Sequence, residues 1–127
     1  MSGQNELVQR IDAIERAYEY LLAYAAQGRT EEAGSDARPM LEQMYASLDG
    51  LGALARSALS AGSSAGGADF ESFLTALDRD ASVARGAVGL VLSRAKISSL
   101  LVDNLNASVH VRALLTDLFL LEQALKS

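Results

Sequence analysis

His110 is the only histidine in the chain, and histidine is the side chain best suited to exchanging protons near neutral pH. On a helix it could serve as a general base, ligate a metal or accept a phosphoryl group. Nucleophilic catalysis would have to pair it with a serine or threonine, because there is no cysteine to supply a thiolate. Gly62-Ser63-Ser64-Ala65-Gly66 spells Gly-x-Ser-x-Gly. That elbow works as a sharp turn between a strand and a helix. Here it lies in a run of small residues with no strand before it, and such a segment cannot hold a catalytic geometry. No catalytic residue is therefore expected.

Metal chemistry lacks ligands. Di-iron bundles use Glu-x-x-His pairs on facing helices, and a zinc site needs more than one histidine in a chain without cysteine. No calcium loop of the Asp-x-Asp-x-Asp-Gly type occurs, and Asp78-Arg79-Asp80 falls inside a helical pattern as a solvated face. Asp12, Glu15 and Glu19 read as the wet face of the first helix. The glycines near 62–67 lack the following lysine of a phosphate-binding loop. No metal and no cofactor is expected.

The elements that would carry these residues are helical throughout. Half the residues are hydrophobic but only 6% aromatic, with one proline, so the core must be mainly Leu, Ala, Val and Ile, and Ala and Leu favour helix. Leu7, Ile11, Ile14, Tyr18, Leu21 and Ala25 recur at spacings of four and three, predicting a first helix from about Gln4 to Gln27 that ends at Gly28. Asp36 and Pro39 open a second helix, whose seam is Leu41, Met44, Leu48, Leu51, Ala55 and Ala58. Gly50 and Gly52 within it permit close packing or a bend. Residues 61–68 read as a flexible linker.

Asp69 caps a third helix with the seam Leu74, Leu77, Ala81, Ala84, Val88, Val91 and Ala95. Unbroken to Asn104, this helix would span ~54 Å, against ~36 Å for the first. Gly86 and Gly89 are the places where it could kink. Asn104 and Asn106 punctuate the chain before a fourth helix from Ala107 to about Lys126, with Val111, Leu114, Leu118, Leu121 and Leu125 on its seam. The fold class expected is an all-α antiparallel bundle of about four helices in a single domain spanning residues 1–127. Such a bundle resembles the histidine-phosphotransfer architecture, although Val111-Arg112-Ala113-Leu114-Leu115 after His110 lacks that family's lysine and small residue.

Some apolar residues exceed what a seam requires. On a wheel of ~100° per residue, Phe119 lies about 120° from the centre of the fourth helix's seam, and Leu115 and Leu120 extend the apolar arc. Tyr20 and Tyr24, with Ala13 and Ala17, form a second stripe on the first helix. These residues point to an interface, most simply a symmetric homodimer, with Leu115, Phe119, Leu120, Tyr20 and Tyr24 as anchors. Tyr18, Tyr24 and Tyr45, with Arg38 or Arg94, could instead line a cavity between helices for a small ligand, and His110 could take a phosphoryl group.

Eleven basic residues against sixteen acidic ones give a net charge of −5. This opposes binding to a phosphate backbone, so nucleic acid is not expected as a partner. No apolar stretch reaches the ~18 residues of a membrane span. Neither a basic leader nor a long apolar run opens the chain, so the cytoplasm is the expected address. The function expected is a non-enzymatic protein-interaction module, an adaptor, regulator or small chaperone with a protein partner.

Overall fold

The computed structural model describes residues 2–60 and 67–126. Among them are six helices and no strand: α1 (Ser2–Ala25), α2 (Ala37–Leu48), α3 (Leu51–Ser60), α4 (Gly67–Leu92), α5 (Ser99–Ala107) and α6 (Val109–Lys126). The described residues are thus all-helical, with six helices in place of the expected four or so. Apart from Gly67 and Ala68, which open α4, the linker expected at 61–68 lies outside the described residues.

The two extra breaks have different causes, the first local and the second long-range. The second expected helix divides at Asp49–Gly50, where Gly50 adopts φ +65°, a left-handed conformation that glycine reaches without a Cβ penalty. Two residues later Gly52 lets α3 approach α4, since a Cβ there would overlap the backbone and side chain of Asp78. The third expected helix ends at Leu92. Arg38 donates to its final carbonyl, Leu92 O, at 3.1 Å and to Arg94 O in the turn beyond at 3.0 Å. Ser98 then caps α5 by accepting from the Leu101 N–H at 3.0 Å.

The long kinked helix is thus replaced by α4, which runs unbroken through Gly86 and Gly89, and by a separate α5. At 26 residues α4 spans about 39 Å, close to the ~36 Å of the 24-residue α1. Asp69 sits in the first turn of α4, not at its cap. Asn104 and Asn106 lie inside α5, and the break before α6 falls at Ser108.

Neighbouring helices run in opposite senses. Along α1, Gly3 lies beside Ala58, Arg10 donates to Asp49 O at 2.5 Å, and the Tyr20 hydroxyl accepts from Asp36 N at 2.8 Å. Residue numbers on the α2–α3 side fall as those on α1 rise. Between α2 and α4, the Arg85 guanidinium lies 3.8 Å from the centre of the Tyr45 ring. On its other flank α1 packs against α5, and α4 packs against α6.

This arrangement covers α1 on two sides and explains its second apolar stripe. Ala17 and Tyr24 are fully buried with Leu7, Ile11, Ile14 and Leu21, while Tyr18 and Ala25 are only partly so. A polar seam joins the end of α1 to α5. The buried Ser99 hydroxyl donates to Tyr24 O at 2.7 Å and accepts from Arg29 N at 2.9 Å. Asn106 Nδ2 donates to Leu21 O at 3.1 Å. These bonds give carbonyls near the end of α1 a buried side-chain donor, in addition to the Gln27 N–H that already reaches Tyr24 O at 3.0 Å.

Candidate functional site

The first feature that could meet another molecule lies between the start of α4 and the end of α6. Phe70 and Phe73 on α4 are one turn apart, and Leu120, Leu121 and Ala124 on α6 face them. With Asp69 at its rim they line an open, overwhelmingly apolar groove of about 450 Å³. Leu121 is buried at its floor, whereas Leu120 on its edge is 60% exposed. Phe119, on the opposite flank of α6, is 49% exposed. The other exposed aliphatics (Val8, Leu22, Val83, Leu90, Leu100, and Val109 and Leu125 at the two ends of α6) are spread over α1, α4, α5 and α6, and isolated apolar residues of that kind are ordinary on a surface.

The second feature is electrostatic. Glu122 on α6 meets Glu15 on α1, and Asp117 on α6 meets Asp80 on α4, all four being half-buried. Carboxylate oxygens of Asp12, Glu15 and Glu122 lie within 4.8 Å of one another. Glu15 Oε2 and Asp117 Oδ2 are both shielded from solvent and lack a hydrogen-bond partner. Burial, and then the Glu122 carboxyl beside it, push the Glu15 carboxyl up to about 7. Burial and the neighbouring Asp80 do the same to Asp117, also to about 7, against a weak opposing pull from Arg79. Both effects favour the neutral acid, the expected behaviour of carboxyls forced together in a partly dry setting.

A third polar cluster is structural. Glu32 Oε1 accepts from the Ile97 N–H at 2.7 Å, and Oε2 accepts from Arg38 at 2.7 and 2.9 Å. The Ile97 amide and then Arg38 hold the Glu32 carboxyl down to about 2. Through Arg38 this clasp ties the segment before α2 to the turn after α4.

The structure separates the residues expected to form an interface. Leu115 is 3% exposed and Tyr24 fully buried, so neither can anchor a partner; both are core because α5 and α6 fold back over α4 and α1. Tyr20 is partly buried and stacks on Tyr24 with ring centres 6.4 Å apart. Phe119 and Leu120 are the two that face solvent. Of the ligand candidates, Tyr18 is half-buried on α1, and Tyr45 is held between Arg85 and α4 in the α2–α4 seam. Tyr24 bonds to Ile97, and Arg38 to Glu32. None of these groups lines the α4–α6 groove or the shallower hollow along the first half of α6. His110 is exposed at the start of α6, where its backbone N–H meets Ser108 Oγ at 3.3 Å.

Two groupings are hard to see along the sequence. Phe70 and Phe73 carry no special pattern, and their groove exists only because the end of α6 lies beside the start of α4. The acid pairs have one legible sign: Glu122 lies only about 60° from the centre of its helix's apolar seam, close for a solvated carboxylate. Among the described residues, Asp12, Glu15 and Glu122 are the only clustered potential metal ligands. They offer oxygens alone, and nothing beside them marks a cation. Compared with protein-family models, curated proteins and solved structures, the chain matches none.

Proposed function

We propose that this chain is a single-domain, non-enzymatic protein-interaction module, an adaptor, regulator or small chaperone that pairs with a second copy of itself through α6. The observation that carries the reading is the apolar groove between α4 and α6, with the 60%-exposed Leu120 on its edge. A groove with a protruding apolar residue on its own rim suits a two-fold contact, because the same patch then supplies both knob and hole. Phe119, on the other flank of α6, is a second large apolar residue left exposed on the same helix. With a net charge of −5, copies of this chain meet more favourably through an apolar surface than through a charged one. A cysteine-free chain suits a reducing cytoplasmic setting.

Light scattering of the native chain against Leu120→Asp and Phe119→Asp tests this. A dimer that becomes monomeric in Leu120→Asp, with helical content unchanged, supports the reading. A native chain that is monomeric at its highest soluble concentration overturns it.

One observation favours a second reading. The groove volume of about 450 Å³ falls in the range of small-molecule sites, so a small apolar ligand could occupy it. Native mass spectrometry of freshly purified protein distinguishes the two, since a retained non-protein mass lost in Phe73→Asp supports the ligand. The exposed setting of His110 offers no comparable support for phosphoryl transfer.

A further inference from the structure

Helix α6 is bracketed by acids on both sides. Asp117 and Glu122 are five positions apart, about 140° around the helix, so they project to opposite flanks. One meets Asp80 of α4 and the other meets Glu15 of α1. Among the described residues no ion pair reaches any of these four carboxyls. The charged groups facing Glu15 are Asp12 and Glu19 from its own helix and Glu122 from α6; those facing Asp117 are Asp80 and Arg79 from α4. Glu15 Oε2 and Asp117 Oδ2 are shielded, with no donor supplied by the protein. A carboxyl pair in that position can be satisfied by one proton held between the two groups, which converts mutual repulsion into a hydrogen bond.

We propose that the two carboxyl–carboxyl pairs flanking α6 form a proton-dependent latch, closed while each pair holds one proton and released when both pairs are fully ionised. Each release step sends one proton to solvent and leaves two facing anions. The pivot is Ser108, which separates α5 from α6 with a non-helical backbone (φ −57°, ψ 130°). Swinging out there would bare the inner face of α6, where Leu114, Leu118 and Leu121 are buried, and dismantle the α4–α6 groove. The latch stands apart from self-association, since a monomer would possess it equally.

The sign of the pH dependence follows from linkage. Both acids are raised in the closed state, from ordinary values of 4.5 and 3.8 to about 7. Closure therefore binds protons that the open state does not. The contribution is complete below about pH 4, weakens as pH rises, and is gone above about 7.

Hydrogen exchange by mass spectrometry on the full chain tests the latch between about pH 4 and 8, in chelator-containing buffer and with intrinsic rates corrected. The protection of residues 109–126 should fall at least about tenfold across that window, then level off, while residues 7–21 change less. In the Glu15→Gln, Asp117→Asn double variant each amide can donate to its partner carboxylate at every pH. Its α6 should exchange independently of pH and more slowly than native above about pH 7. Native protection that stays flat overturns the proposal, as does a double variant that keeps the native pH dependence. Carbon-13 titration of the native carboxyls decides the matter even if the variant does not fold. Midpoints of Glu15 and Asp117 near 7 support the latch, and midpoints in the ordinary carboxylate range overturn it.

Discussion

The Tyr24 hydroxyl donates a 2.6 Å hydrogen bond to the carbonyl oxygen of Ile97, 73 positions away, in a fully buried setting. It fastens the end of α1 to the turn between α4 and α5, the turn at which the chain abandons a continuous third helix. Burial raises the phenol's pKa, keeping it neutral and able to donate. Tyr24→Phe should cost about 1–3 kcal/mol, because the Ile97 carbonyl loses a partner that water cannot replace. Urea unfolding measures this, and a cost near zero would show that the bond does not hold the turn.

The Glu32 clasp predicts an acid-sensitive contribution. Its carboxyl is lowered from 4.5 to about 2 in the folded chain, so the folded state holds fewer protons than the unfolded one. The stability it adds is full above about pH 5 and is lost as pH falls toward 2. The difference between native and Glu32→Gln chains should follow that course in denaturant titrations. A difference independent of pH would assign the effect to packing. This limb is opposite in sign to that of the α6 acid pairs, so together they place greatest stability in the mildly acidic range.

Two glycines inside helices should respond oppositely to alanine. At Gly52 an added methyl meets the α4 backbone at Asp78, and forcing the helices apart should cost about 1–3 kcal/mol. At Gly86 nothing lies within 4 Å of the new carbon, so alanine should stabilise α4 by up to about 1 kcal/mol. Thermal melts of the two variants check the pair, and equal shifts would contradict the close α3–α4 approach.

Leu115 and Leu120 separate core from surface on one helix. Leu115→Ala should destabilise by about 2–5 kcal/mol, as a buried leucine does. Leu120→Ser should leave monomer stability within about 0.5 kcal/mol. If Leu120→Ser melts as early as Leu115→Ala under conditions that keep both monomeric, the placement of Leu120 on the surface fails.

Helix periodicity alone identified most core positions. Leu41, Met44 and Leu48, and Leu74 through Val91, are buried as their three-and-four spacing requires, because that spacing puts them on one stripe whatever the partner. The same spacing could not say what covers a second stripe. Tyr24 and Leu115 have surplus apolar surface whether a second copy or their own chain buries it, and only the packing of α5 and α6 decided for their own chain. A helix end was legible at Gly28, where a left-handed backbone demanded glycine, whereas Gly50 read only as close packing or a bend inside one helix and in fact divides it. Helix ends were illegible where distant side chains stop the helix. Arg38 and Glu32 terminate α4 and shape the following turn from more than 50 positions away. The acid pairs belong to this second class: a carboxylate beside a seam looks solvated until the facing helix presents another carboxylate, and that meeting depends on how α6 sits between α1 and α4. Local geometry is written in neighbouring residues, whereas desolvation and like-charge proximity arise only when separate elements converge.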